Sequence, residues 1–214
     1  MLRSCRAPLL IAAVAIILMS TAWAGEPALN ISRIYAADDS VCVDFQLKDA
    51  VTSEVMEAVR QGVPLELVFK IEIWRESFWF DRTIATATVS CIFRYDNWDT
   101  VFCITRMHEG VAQREMIRSG SIGEIIHKTC VYSGLKACEV SRIRPDKNYF
   151  LVVRSEIKYL SAERVREIES WLSGKDPEEA GSGGMLDLIL SAFGSESRTV
   201  ESGKQYFSLP SISR

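Results

Sequence analysis

Leu65-Glu66-Leu67-Val68-Phe69-Lys70-Ile71-Glu72-Ile73-Trp74 is the longest uninterrupted strand signal in the chain. Leu65, Leu67, Phe69, Ile71 and Ile73 fall on one side of an extended backbone. Glu66, Lys70, Glu72 and Trp74 fall on the other. Side chains of a strand alternate between faces, so this pattern predicts a strand with one face in a core and one face toward water.

The segments on either side repeat the theme. Upstream, Ser40 to Lys48 alternates Val41, Val43, Phe45 and Leu47 with Cys42, Asp44, Gln46 and Lys48. Ile31 to Ala36 is a shorter strand before it, with Ala37-Asp38-Asp39 as the turn. Thr52 or Ser53 caps a helix through Val55, Met56 and Val59, which Gly62 stops. Downstream, Thr83–Tyr95 and Thr100–Met107 are rich in Thr, Val, Ile and Phe, and the polar Asp96-Asn97 makes them a hairpin. Val111 to Arg118 follows as a further strand. Ser121 with Glu124 is a capping-box pattern, opening a helix whose Ile122, Ile125, Ile126, Thr129 and Cys130 share one face and which ends near Gly134. Tyr149 to Tyr159 is the last strand. About seven antiparallel strands and two short helices predict a mainly β fold, an antiparallel β-sandwich of immunoglobulin-like type over residues 25–162.

Beyond Ala162 the composition shifts. Residues 163–173 read as a charged helix, 174–184 (GKDPEEAGSGG from Gly174) as a flexible linker, and 185–214 as an apolar helix and tail. Met185 to Phe193 is too short to span a bilayer and suits docking on the domain, a membrane surface or a partner.

At the other end, Arg3 and Arg6 precede an apolar run from Leu9 to Leu18, and Ala22-Trp23-Ala24 is a small-x-small cleavage signal. Residues 1–24 are expected to be a signal peptide, placing the product in the periplasm, with membrane association as the variant outcome. Loss of the leader removes two arginines and no acid, which takes the net charge from −3 to −5. A mildly acidic chain without basic runs is a poor fit to nucleic acid.

Five cysteines follow the leader: Cys42, Cys91, Cys103, Cys130 and Cys138. With a turn centred on Asn97, Cys91 and Cys103 sit opposite each other and form the first candidate disulfide. Cys130 and Cys138 form the second, and Cys42 is left as the free thiol. The alternative is that all five are small core residues.

Motifs that carry chemistry are sparse. Glu124 and His127 make a single E-x-x-H, which lacks the second copy and further carboxylates of a di-iron site. His127 and Cys130 offer two metal ligands without a third, so no metal and no cofactor is expected. There is no G-x-S-x-G, H-E-x-x-H, S-x-x-K or Gly-rich phosphate loop. A carboxylate pair acting on an envelope polymer is the enzymatic alternative, and a ligand-free structural protein is another.

The distinctive cluster is Trp74-Arg75-Glu76-Ser77-Phe78-Trp79-Phe80-Asp81, four aromatics with an arginine and two acids. Trp74, Arg75, Phe78, Trp79 and Asp81, with Arg94 on the next strand, are the expected binding residues, because Trp and Arg anchor recognition surfaces. The competing reading is an aromatic plug at one end of the sandwich.

Taken in order, Gly62-Val63-Pro64-Leu65, the long strand into the Arg and aromatic cluster ending at Asp81, Arg94-Tyr95-Asp96-Asn97, Pro145-Asp146-Lys147-Asn148-Tyr149 and Val152-Val153-Arg154 resemble the bacterial envelope family catalogued as domain of unknown function 4390, over about Leu29 to Ser161. The resemblance implies an envelope protein with a leader or anchor. It assigns no activity, cofactor or catalytic residue. The five cysteines and the stretch from Gly174 fall outside that pattern. The combined expectation is a non-enzymatic periplasmic binding or accessory module, meeting an envelope protein or component through the Trp74–Asp81 surface and a membrane surface or partner through Met185 to Phe193.

Overall fold

The computed structural model describes residues 26–108, 110–118, 121–159 and 197–213. The expected leader with its cleavage point after Ala24, the stretches 163–173 and 174–184 read as helix and linker, and Met185 to Phe193 lie outside the described residues. Within them, ten strands form two antiparallel sheets. The smaller sheet has β2 (Ser40–Lys48) at its centre, between β1 (Ala28–Ala37) and β7 (Val131–Glu139). The larger runs β8-β3-β4-β5-β6, from β3 (Leu65–Arg75), β4 (Arg82–Asp96), β5 (Val101–His108), β6 (Val111–Ile117) and β8 (Tyr149–Tyr159). β9 (Arg198–Glu201) and β10 (Gln205–Phe207) share the outer edge of β8. So residues 198–207, in the stretch read as tail, complete the large sheet.

The decisive strand behaves as its alternation demands. Leu65, Leu67, Phe69, Ile71 and Ile73 are 0–1% exposed and face the smaller sheet. Each buried side chain of this size contributes about 2 kcal/mol of transfer free energy. Phe69 meets Phe45 of β2 at 5.3 Å and Tyr132 of β7 at 5.0 Å between ring centroids, locking the two sheets together.

Both helix starts follow the sequence. In α1 (Ser53–Arg60) the N–H of Val55 donates to Thr52 Oγ1 at 3.4 Å. The chain then turns at Gly62, whose φ of +90° and 3.3 Å gap from a would-be Cβ to Asn97 Nδ2 both call for glycine. In α2 (Ile122–Thr129) the N–H of Glu124 donates to Ser121 Oγ at 3.2 Å, and Ile122, Ile125, Ile126 and Thr129 are buried as expected.

The end of α2 is a correction. The helix stops at Cys130 rather than near Gly134, and the chain passes directly into β7. Gly134 (φ +69°) sits in a bulge where the β2–β7 register shifts, and its N–H donates to Asp44 Oδ1 at 2.7 Å.

Neither expected disulfide forms; all five described cysteines are free and buried. Asp96 Oδ1 accepts from the N–H groups of Trp98 (3.0 Å) and Asp99 (3.3 Å), which stretches the β4–β5 turn to four residues and pairs Asp96 with Val101. Cys91 therefore faces Arg106, and Cys103 faces Arg94. This register differs by three residues from one centred on Asn97. An odd shift places the two thiols on opposite faces of the sheet. Cys130 and Cys138 stand at opposite ends of β7, more than about 20 Å apart along an extended chain, whereas a bridge needs Cα atoms within about 7 Å.

Candidate binding surface

The β3–β4 connection is tight at its base and bare at its tip. Arg75 and Arg82 are cross-strand partners that close the ladder. The N–H of Glu76 donates to the carbonyl of Asn148 at 3.0 Å, and the N–H of Ser77 donates to Asp81 Oδ1 at 3.3 Å. These bonds hold the loop ends together and push the middle outward. Phe78, Trp79 and Phe80 are 92%, 79% and 85% exposed, with Phe78 and Trp79 edge to face at 5.2 Å. The cluster is not a plug.

Behind the tip, three rings cross three adjacent strands in register. Trp74 of β3 pairs with Phe150 of β8, which pairs with Tyr206 of β10. Trp74 and Phe150 lie parallel at 6.2 Å, and Phe150 and Tyr206 are 5.7 Å apart. Lys204 Nζ sits 4.2 Å above the Phe150 ring and 3.6 Å from Asp81 Oδ2, tying the row to the loop. Phe150 is thereby buried, while Tyr206 remains 57% exposed.

The row is anchored by charge on the same face of the sheet. Glu72, only 4% exposed, binds Lys70 Nζ at 2.7 Å and the Arg154 guanidinium, which also reaches Glu201 at 2.6 Å. Burial pushes the Glu72 carboxyl upward, but the bond from Lys70, the charges of Arg154 and Lys70 and the bond from Trp74 outweigh it, so its pKa is held below the ordinary value. Trp74 is thus tethered through Glu72 to a four-residue ion network.

Of the expected site residues, Trp74, Arg75, Phe78, Trp79 and Asp81 come together at this end of the large sheet. Arg94 does not. Trp74 pairs with Thr83, and Arg94 lies eleven positions further along β4, about 35 Å away in an extended strand. Phe150, Lys204 and Tyr206 were not singled out from the sequence. Phe150 could have been found by alternation once β8 was placed beside β3; a three-residue strand gives Tyr206 no periodic signal.

Two further clefts lie among the described residues. One, of about 480 Å³, is lined by Lys48, Asp49, Met56, His127 and Cys130 among others, and in it Gln46 Nε2 donates to His127 Nε2 at 3.1 Å. Another, of about 470 Å³, holds Lys136, Glu139 and Arg142. Each contains a single carboxylate. Burial pushes Cys91 and Cys130 up to about 12 and Cys138 to about 11, so these thiols stay protonated and are poor nucleophiles.

Residues 26–160 match the model of the family described as "Domain of unknown function (DUF4390)". The chain belongs to this family. No curated protein and no solved structure matches it. The DUF4390 match covers Trp74, the exposed loop and Phe150 but ends before Lys204 and Tyr206. The aromatic surface is therefore assembled from the DUF4390 domain and a later segment of the chain.

Proposed function

We propose that this chain is an exported, non-enzymatic binding or accessory module of the periplasm, a β-sandwich of immunoglobulin-like plan that holds an envelope protein or component against its aromatic surface. The observation that carries the reading is the exposure of Phe78, Trp79 and Phe80 beside the Trp74–Phe150–Tyr206 row. Large rings left in water beside arginines are costly for a soluble protein and typical of recognition surfaces. The leader supports an extracytoplasmic location, and the Met185 to Phe193 stretch is a second contact in this proposal.

The test is cross-linking in intact cells that express the full chain with a photoreactive residue at Ser77. Adduct yield is expected to fall about tenfold when Trp79 and Tyr206 are both changed to Ser, a loss typical of removing interface anchors. Equal yield from the substituted chain would place the contact elsewhere.

A further inference from the structure

The β3–β4 loop carries a second feature besides its rings. Arg75 and Arg82 face each other directly across its base, an arrangement of like charges that disfavours the pairing. Neither arginine has an ion-pair partner among the described residues. Lys204 adds a third cation, 3.6 Å from Asp81, and Glu76 is the other acid of the loop. The tip therefore combines three consecutive protruding rings with two unpaired guanidinium groups directly beneath them.

That combination fits one partner chemistry better than others. Protein hot spots sit in partly enclosed pockets ringed by drier contacts. Rings that are 79–92% exposed on a narrow turn have no such walls. A bilayer surface needs none. Aromatic rings favour the boundary between headgroups and acyl chains, and basic residues just above it meet phosphate oxygens. Guanidinium groups bind phosphate through two parallel hydrogen bonds, so anionic headgroups would also relieve the Arg75–Arg82 repulsion.

We infer that residues 75–82 dock this protein on the surface of an anionic phospholipid bilayer, with Phe78, Trp79 and Phe80 seated at the headgroup boundary and Arg75 and Arg82 on the phosphates. This rests on the binding reading above and names the envelope component. The rings wedge into one leaflet without crossing it.

The test is flotation of the chain from Gly25 to Arg214, which contains every described residue, with vesicles of phosphatidylglycerol and phosphatidylcholine in equal parts or of phosphatidylcholine alone. The expected result is binding to the mixed vesicles. It should fall at least about tenfold in the Phe78→Ser, Trp79→Ser, Phe80→Ser triple variant, as loss of most buried apolar area requires. Arg75→Glu with Arg82→Glu should remove the preference for the anionic lipid. Brominated lipid should quench Trp79 emission, and a Trp79→Phe variant should still bind while losing that quenching. Because the substituted rings are exposed, thermal unfolding should be the same for the triple variant as for the parent. Absent vesicle binding, or equal binding by the triple variant, overturns the inference. If vesicles fail while cross-linking in cells still depends on Trp79 and Tyr206, the binding surface stands and its bilayer partner falls. If both fail, neither survives.

Discussion

Strand β3 carries two aromatic triads on opposite faces, and their contrast separates what holds the fold from what the proposed partner contact would use. Phe45–Phe69–Tyr132 has its rings 5.0–5.3 Å apart between the sheets. In Trp74–Phe150–Tyr206 the spacings are 6.2 and 5.7 Å, along the outer face. Ring geometry scarcely distinguishes them. The far side does: the first triad meets a second sheet, whereas the second meets Lys204, the Glu72 network and solvent. Stability should therefore reside mainly in the inner triad and recognition in the outer one.

The largest expected effect tests that division directly. Phe69→Ala empties a site between the sheets and should cost about 3–5 kcal/mol in urea unfolding. Trp74→Ala removes a half-buried ring with one face toward water and should cost about 1–2 kcal/mol. If the two losses are equal, the outer row is structural, and the binding surface contracts to the loop tip.

Next in size is the ion network beneath the outer triad. Glu72 is buried and its folded pKa lies below the ordinary glutamate value of about 4.3. A depressed carboxyl contributes stability that is fully present above its unfolded pKa and is lost as pH falls through the folded value. Glu72→Gln should cost about 1–3 kcal/mol at pH 7, moderated because Lys70 and Arg154 are partly in solvent. The gap between the parent and the variant should close as pH falls from about 6 to 3. A gap independent of pH would mean that packing, rather than charge, holds this face.

Local patterns explain which of these features the sequence made legible. The alternation in β3, both N-caps and the buried face of α2 depend on neighbours within a few residues, and each was readable. The misreadings depended on pairing at a distance. β7 was hidden because Gly134 looks like a helix stop when its bulge against Asp44 is not in view. The hairpin register was missed because Asp96 folds over the next three residues, with Thr100 at φ +52°, so the turn is longer than Asp96-Asn97 suggests. That register decided the fate of Cys91 and Cys103. Part of the proposed binding surface was legible for the same reason: Trp74 through Asp81 is contiguous, but Phe150, Lys204 and Tyr206 arrive through strand pairing.

The smallest effect sharpens the comparison at single atoms. The Tyr132 hydroxyl is buried without a hydrogen-bond partner among the described residues, and burial raises its pKa above the ordinary tyrosine value. A buried polar group left unpaired is destabilising, so deleting it should be neutral or helpful. Tyr149, also buried, accepts a hydrogen bond on its hydroxyl from the N–H of Arg144 at 2.9 Å. Tyr149→Phe should then lose about 1 kcal/mol, while Tyr132→Phe should leave stability unchanged or raise it by up to about 1 kcal/mol. Urea unfolding of the two variants side by side isolates the hydroxyls, since each change keeps the ring. A loss for Tyr132→Phe as large as for Tyr149→Phe would show that the inner triad also carries a polar contact, and that the two faces of β3 differ less than their burial implies.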